Sequence, residues 1–201
     1  MKIKNILAIT TLVGLGMSAQ AITVDFLSSG YTANTALGNS ATFSQGGASV
    51  TAYASGSESL FLKDQGVGEQ GLGINSDPTG NNEIYGSTFI QLLSSTGFGG
   101  FAINSLTLES VTGGEQAGIY YSAVLGTLGS FLGSVSADGS FNIAGAYQNG
   151  YIGVAVYQGA GTLNNVLLST VSGNVPDGGT TVAMLGGALT ALGLIRRKLV
   201  A

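Results

Sequence analysis

The chain contains no cysteine, no histidine and no tryptophan. Without cysteine there are no disulfides, no thiolate metal sites and no cysteine nucleophile. Without histidine the usual general base near neutral pH and the commonest metal ligand are both missing. The lack of tryptophan removes the largest stacking surface a side chain offers. Proline is scarce, at 2 residues, and charged residues make up only 8% of the chain. Between residues 22 and 174 the only cation is Lys63, against nine acids: Asp25, Glu58, Asp64, Glu69, Asp77, Glu83, Glu109, Glu115 and Asp138. One cation and nine acids leave that stretch at −8. Such a surface repels phosphate backbones and argues against nucleic acid as a partner.

What the chain does hold is glycine, 34 residues, and an apolar fraction of 44%. This is enough apolar material for one buried core in a single domain of the 201 residues. Segments alternating apolar and polar residues with period two read as strands: "ASVTAYA", "SLFLK" (59–63), "STFIQLL" (87–93), "FAINSLTLESV" (101–111), "AGIYYSAVL" (117–125), "GSFNIAG" (139–145), "GYIGVAVYQ" (150–158) and "NNVLLSTV" (164–171). Asp138-Gly139 and Asn149-Gly150 have hairpin turn chemistry, since both supply residues that tolerate positive φ. No stretch of the body keeps a helical period. The expectation is an all-β body, a β-sandwich or jelly roll, spanning 22–173.

Several patterns in the body suggest chemistry. "GVGEQG" (66–71) fits G-x-G-x-x-G, but Leu72, Gly73, Ile74, Asn75, Ser76, Asp77 and Pro78 follow, which break a helix where a dinucleotide site must open one. "NSDPTG" (75–80) places oxygens from Asn75, Asp77 and Thr79 at positions 1, 3 and 5 of a calcium-type loop, with glycine at position 6. No acid closes that loop at position 12, where Gly86 stands, and a surface turn at Asp-Pro explains the same residues. Calcium is therefore the one cofactor the sequence leaves room for. Glu109 and Glu115 flank a turn, but sequence alone gives no cleft between two carboxylates, as a glycosidase needs. The tyrosines at 120, 121, 147, 151 and 157 read first as strand and core aromatics, and second as a sugar-stacking face.

The two ends are targeting segments. "MKIKNILAITTLVGLGMSAQA" (1–21) has two lysines, an apolar run from Ile6 to Met17, and Ala19-Gln20-Ala21. That is a signal peptide, a short apolar helix with a small-x-small site, for signal peptidase to cut after Ala21. At the other end, residues 174–201 hold Val175-Pro176-Asp177-Gly178-Gly179, an uncharged run from 180 to 195, and Arg196-Arg197-Lys198. Sixteen helical residues span about 24 Å, a little short of a hydrocarbon core. The expectation is a single transmembrane helix over 180–195, with the basic cluster stopping transfer on the cytoplasmic side.

These tail features resemble the PEP-CTERM sorting signal, and more closely its VPDSG-CTERM variant. Asp177 stands for the glutamate of the parent motif, the second proline is missing, and Gly178 replaces the serine of the closer variant. "GLGINSDPTGNNEIYGSTFIQL" resembles a stretch recurring in the bodies attached to such tails. The resemblance implies a substrate of an exosortase, a membrane-embedded cysteine protease-transpeptidase of Gram-negative bacteria that make exopolysaccharide. It implies recognition at Val175, Pro176, Asp177, Gly178 and Gly179, with Arg196, Arg197 and Lys198 as the stop-transfer cluster. The expected protein is an exported, non-enzymatic component of the cell surface or extracellular matrix, held in the inner membrane until processed. The second expectation is a carbohydrate-binding sandwich, with exopolysaccharide as a partner.

Overall fold

The computed structural model describes residues 20–75, 80–96, 100–157, 165–175 and 186–189. The compact body runs from Ala21 to Pro176. Among its described residues the strands form two antiparallel sheets. One sheet holds β1 (Gln20–Asp25), β2 (Thr35–Gly38), β5 (Leu60–Asp64), β6 (Gln70–Ile74), β7 (Ile84–Tyr85), β9 (Ala102–Glu109), β12 (Gly139–Asn142) and β14 (Asn165–Val175). The other holds β3 (Ser40–Gln45), β4 (Ala48–Ala54), β8 (Phe89–Ser94), β10 (Ala117–Ser122), β11 (Ser130–Val135) and β13 (Gly150–Val156).

The eight-stranded sheet runs β12-β9-β14-β6-β5-β2, with β1 and β7 also pairing to β14. The six-stranded sheet runs β11-β10-β13-β8-β4-β3. Period-two patterning turns one face of each strand inward. In β4, Ala48, Val50, Ala52 and Ala54 are buried while Ser49 is exposed and Thr51 and Tyr53 are half-buried. Inward residues of both sheets, among them Phe43, Ile90, Leu92 and Val154 from one and Leu62, Leu72, Leu106 and Leu168 from the other, form a single core. This is a β-sandwich arrangement. Each fully buried Leu, Ile or Phe contributes about 1.5–3 kcal/mol.

The register of β1 on β14 follows from two contacts. Thr23 Oγ1 lies 2.7 Å from Ser172 Oγ, and Phe26 N donates to Ser169 O at 3.4 Å. Residue numbers advance in opposite senses, so the strands are antiparallel and Ala21 falls opposite Asn174. The first and last strands of the body therefore meet side by side.

The two turn pairs sit in different places from those their chemistry predicts. Asp138-Gly139 leads from β11 into β12, and Asn149-Gly150 follows a 3-10 turn at Gly145–Tyr147 and leads into β13. Both lie where the chain passes from one sheet to the other rather than in a hairpin. The "AVL" of 123–125 is also outside its strand, because β10 ends at Ser122.

Candidate functional site

The glycine fingerprint at 66–71 lies in the hairpin between β5 and β6, with Gly66 and Gly68 at positive φ. Strand β6 follows the turn where a dinucleotide site would open a helix. The hairpin positions a polar cluster instead. Lys63, near the end of β5, donates to both Glu69, from the turn, and Glu83, which enters β7. Ser110, just after β9, places its hydroxyl 3.2 Å from Glu69 Oε1 and 3.2 Å from Glu83 Oε2. The side chains of Lys63 and Glu83 are each only 3% exposed, whereas that of Glu69 is 42% exposed. One cation and two carboxylates thus meet in a pocket open to water through Glu69 alone.

The backbone is shaped to allow this. A Cβ on Gly73 would lie 2.1 Å from Asn82 O and 2.8 Å from Glu83 Cα, so only glycine lets the Glu83 segment approach β6. Asn82 and Ser110, on either side of the cluster, both adopt positive φ without being glycine (58° and 59°).

The three charges split apart. Burial raises the Glu83 carboxyl above the ordinary carboxylate range; the Lys63 hydrogen bond and charge offset only part of this, and the charge of Glu69 adds to it. Burial pushes Glu69 up as well, but there the hydrogen bond and charge of Lys63 win and its pKa falls. Burial alone would lower the Lys63 ammonium; hydrogen bonds and charge from two carboxylates outweigh it and raise its pKa. Burial thus works on Glu83 towards the neutral acid, while Lys63 holds Glu69 towards the carboxylate.

Most other acids staple backbone. Glu109 accepts from Gln70 N at 3.2 Å and Ser169 Oγ at 2.8 Å. Glu115 accepts from Thr112 N at 3.0 Å and Asn165 N at 3.2 Å. Asp138 accepts from Val111 N at 2.8 Å, and Asp25 from Leu27 N and Ser28 Oγ. Glu109 is thus committed to β6 and the middle of β14, and Glu115 to its own turn and the first residue of β14.

A second region is the outer face of the six-stranded sheet. Not one of its strands contains an Asp, Glu, Lys or Arg. The five tyrosines divide. Tyr121 and Tyr147 pack against each other and the core, and Tyr121 Oη donates to Asn149 O at 2.6 Å. Tyr120 meets Phe131 edge to face at 5.4 Å, and Phe131 stacks on Tyr157 at 5.1 Å. Tyr151 meets Tyr53 edge to face at 6.1 Å. Phe131 is 48% exposed. Next to this row, Phe89, Tyr120, Leu128, Ala155 and Val156 line a groove of about 430 Å³. One wall of the groove is supplied by loop 123–129, held by an outward Gln91. Its Nε2 donates to Thr127 O at 2.9 Å, and its Oε1 accepts from Gly126 N at 2.6 Å. Sequence reasoning missed Gln91; its place at an outward position of a buried-looking strand was the available signal.

Of the proposed cation ligands only Asn75 is described; its backbone N–H donates to Ser59 O at 2.8 Å, and Asp77 and Thr79 lie outside the described residues. Among the described residues no group of three or more acids is placed to hold a metal. Ala19 also lies outside them, while Ala21 is exposed in β1. At the far end Val175 is the last residue of β14 and packs against the core, and its neighbour Asn174 still pairs with Ala102. Pro176, Asp177, Gly178 and Gly179, and Arg196, Arg197 and Lys198, lie outside the described residues. Of the span 180–195 only 186–189 are described, helical and exposed. Among the described residues no helix is long and apolar enough to cross a membrane.

Residues 174–199 match the VPDSG-CTERM motif, a PEP-CTERM-like C-terminal sorting signal. The chain matches none of the curated proteins and none of the solved structures.

Proposed function

We propose that this is an exported, non-enzymatic protein of the cell envelope or extracellular matrix of a Gram-negative bacterium, delivered through exosortase processing of its tail. The single observation that carries this reading is the sorting motif at residues 174–199. Signal peptidase removes residues 1–21; residues 180–195 and the cluster Arg196-Arg197-Lys198 hold the precursor in the inner membrane; exosortase then acts near Pro176-Asp177. The position of the motif supports such a cut, because β14 ends at Val175 and cleavage beyond it removes no strand among the described residues.

The test is the intact mass of the protein from the envelope and medium of its native host. The expected mature form starts at Ile22 and ends between Val175 and Gly178. With Pro176 and Asp177 both replaced by alanine, export should continue and processing should stop. Normal processing of that double variant would overturn the motif assignment.

A second reading concerns what the body binds. The row Tyr120–Phe131–Tyr157 beside a groove of about 430 Å³ favours an uncharged, ring-shaped ligand such as a neutral glycan of an exopolysaccharide. The sheet that presents the row offers no charge for an ionic ligand. Glycan-array binding lost in Phe131→Ala supports it, and a flat array with the native protein removes it. A calcium-dependent rise in melting temperature tests the loop at Asn75, Asp77 and Thr79 in the same way.

A further inference from the structure

We propose that Lys63 and Glu83 become joined by an intramolecular amide bond, with Glu69 carrying the protons. The proposal rests on the geometry of the cluster and stands whether or not the tail is processed.

Three observations point to it. Lys63 Nζ contacts both carboxylates at once, so nucleophile, acyl group and proton carrier already touch. Lys63 and Glu83 are each 2% exposed, so water neither separates them nor competes for them. Glu69 alone reaches solvent, which gives the released proton an exit. The cluster is also a built one. Gly73 is required for the approach of Glu83, and Ser110, held at positive φ, bridges the two acids. Residues held in sparsely populated backbone regions collect at places where the surrounding fold over-determines them.

A buried ion pair by itself is weak evidence for stability, since desolvation offsets much of the attraction. Fixing an amine against a carboxyl, however, raises its effective concentration to about 10⁵–10⁸ M for well-oriented groups. That lowers the barrier to attack, and burial keeps out the water that would reverse it.

The atoms balance as follows. In the minor state that reacts, the Glu69 carboxylate takes one proton from the Lys63 ammonium, against the shifted affinities of both groups. The freed lone pair of Nζ attacks Cδ of the protonated Glu83 carboxyl, and a C–N bond forms. Glu69 passes its proton to the departing hydroxyl and takes one from the nitrogen. The C–O bond breaks and one water leaves. Glu69 ends protonated and releases that proton to solvent. No oxidant or cofactor is consumed. In an exported chain without cysteine, the bond supplies a covalent tie that a disulfide cannot. It closes a ring between positions 20 residues apart, from β5 to the entry of β7.

The experiment uses the full chain, unfolded and measured by mass spectrometry before and after trypsin. Lys63 is the only lysine or arginine between residues 5 and 195, and trypsin does not cut at an acylated lysine. The expected result is a mass one water below the sequence value. Trypsin should leave 5–195 uncut, and a second protease should release a branched peptide joining Lys63 to Glu83. Lys63→Arg should restore the full mass. A native chain with the full sequence mass that trypsin cuts at Lys63 overturns the proposal. So does a water loss that persists in Lys63→Arg, as a succinimide at Asp138-Gly139 would. Linkage forming as fast in Glu69→Gln overturns the role given to Glu69.

Discussion

Thr23 and Ser172 are 149 positions apart in the chain, yet their hydroxyl oxygens are 2.7 Å apart. This contact ties β1 to β14, so the first residues of β1 and the last residues of β14 lie at the same end of one sheet. The two cleavages proposed above would then fall at the same end of the sandwich. Val175 is still strand, and the next residue, Pro176, cannot donate to a ladder. A chain ending at Val175 should therefore unfold at the same temperature as one carrying the motif. A chain ending at Leu168 loses the part of β14 that meets β1 and five of the seven residue pairs with β9, and should show no cooperative transition. Thermal unfolding followed by circular dichroism distinguishes the two.

Gly73→Ala should be among the most damaging small substitutions in the protein. The added methyl would lie 2.1 Å from Asn82 O, a backbone atom that cannot swing aside. Overpacking of this kind costs about 1–3 kcal/mol and occasionally more. Gly145→Ala, with nothing within 4 Å of the new carbon, should change stability by less than about 0.5 kcal/mol. Equilibrium denaturation in urea compares them.

Gln91→Leu should free loop 123–129 without unfolding the body. The change leaves Gly126 N and Thr127 O without their side-chain partner, which costs about 1–3 kcal/mol if the loop stays in place. The loop should instead lift away. Limited chymotrypsin digestion should then cut near Leu125 at least several-fold faster, while core amides keep their exchange protection.

Tyr120 should be a late tyrosine to ionise. Burial raises its phenol above the ordinary value, and Tyr157 adds to this. A folded-state pKa above the unfolded one means that the neutral phenol's contribution is fully present below pH 10 or so and fades as pH climbs through the folded value. Tyrosinate absorbance during an alkaline titration should show one late component, lost in Tyr120→Phe.

Much of the six-stranded sheet was legible in the sequence because its inward residues alternate cleanly, as in "ASVTAYA" and "STFIQLL". β6 was not legible. "QGLGI" carries two glycines where a pattern would need side chains, and those glycines serve close approaches to Leu168 and to Asn82. β2, β3, β7 and β11 are likewise set by tertiary pairing more than by local pattern. The acids at 63–83 read as solvated loop charges, since nothing local says that Lys63, Glu69, Glu83 and Ser110 converge from four separate segments. The aromatic row was half legible: the tyrosines were visible in the sequence, but the division into Tyr121 and Tyr147 inside, and Tyr120 and Tyr157 outside, depends on strand parity and on the neighbour Phe131.

Among the described residues the uncharged sheet also has two borders, β3 and β11, each with one side unpaired within the sheet. Natural proteins guard such borders with lysines, inward charges or prolines. Neither β3, SATFSQ, nor β11, SFLGSV, has any of these. Electrostatic repulsion between copies is therefore directional. It is strong where the acids of the other sheet and its loops meet, and weak where two neutral borders approach. Two copies brought border to border at β3 or β11 would meet no charge on either strand.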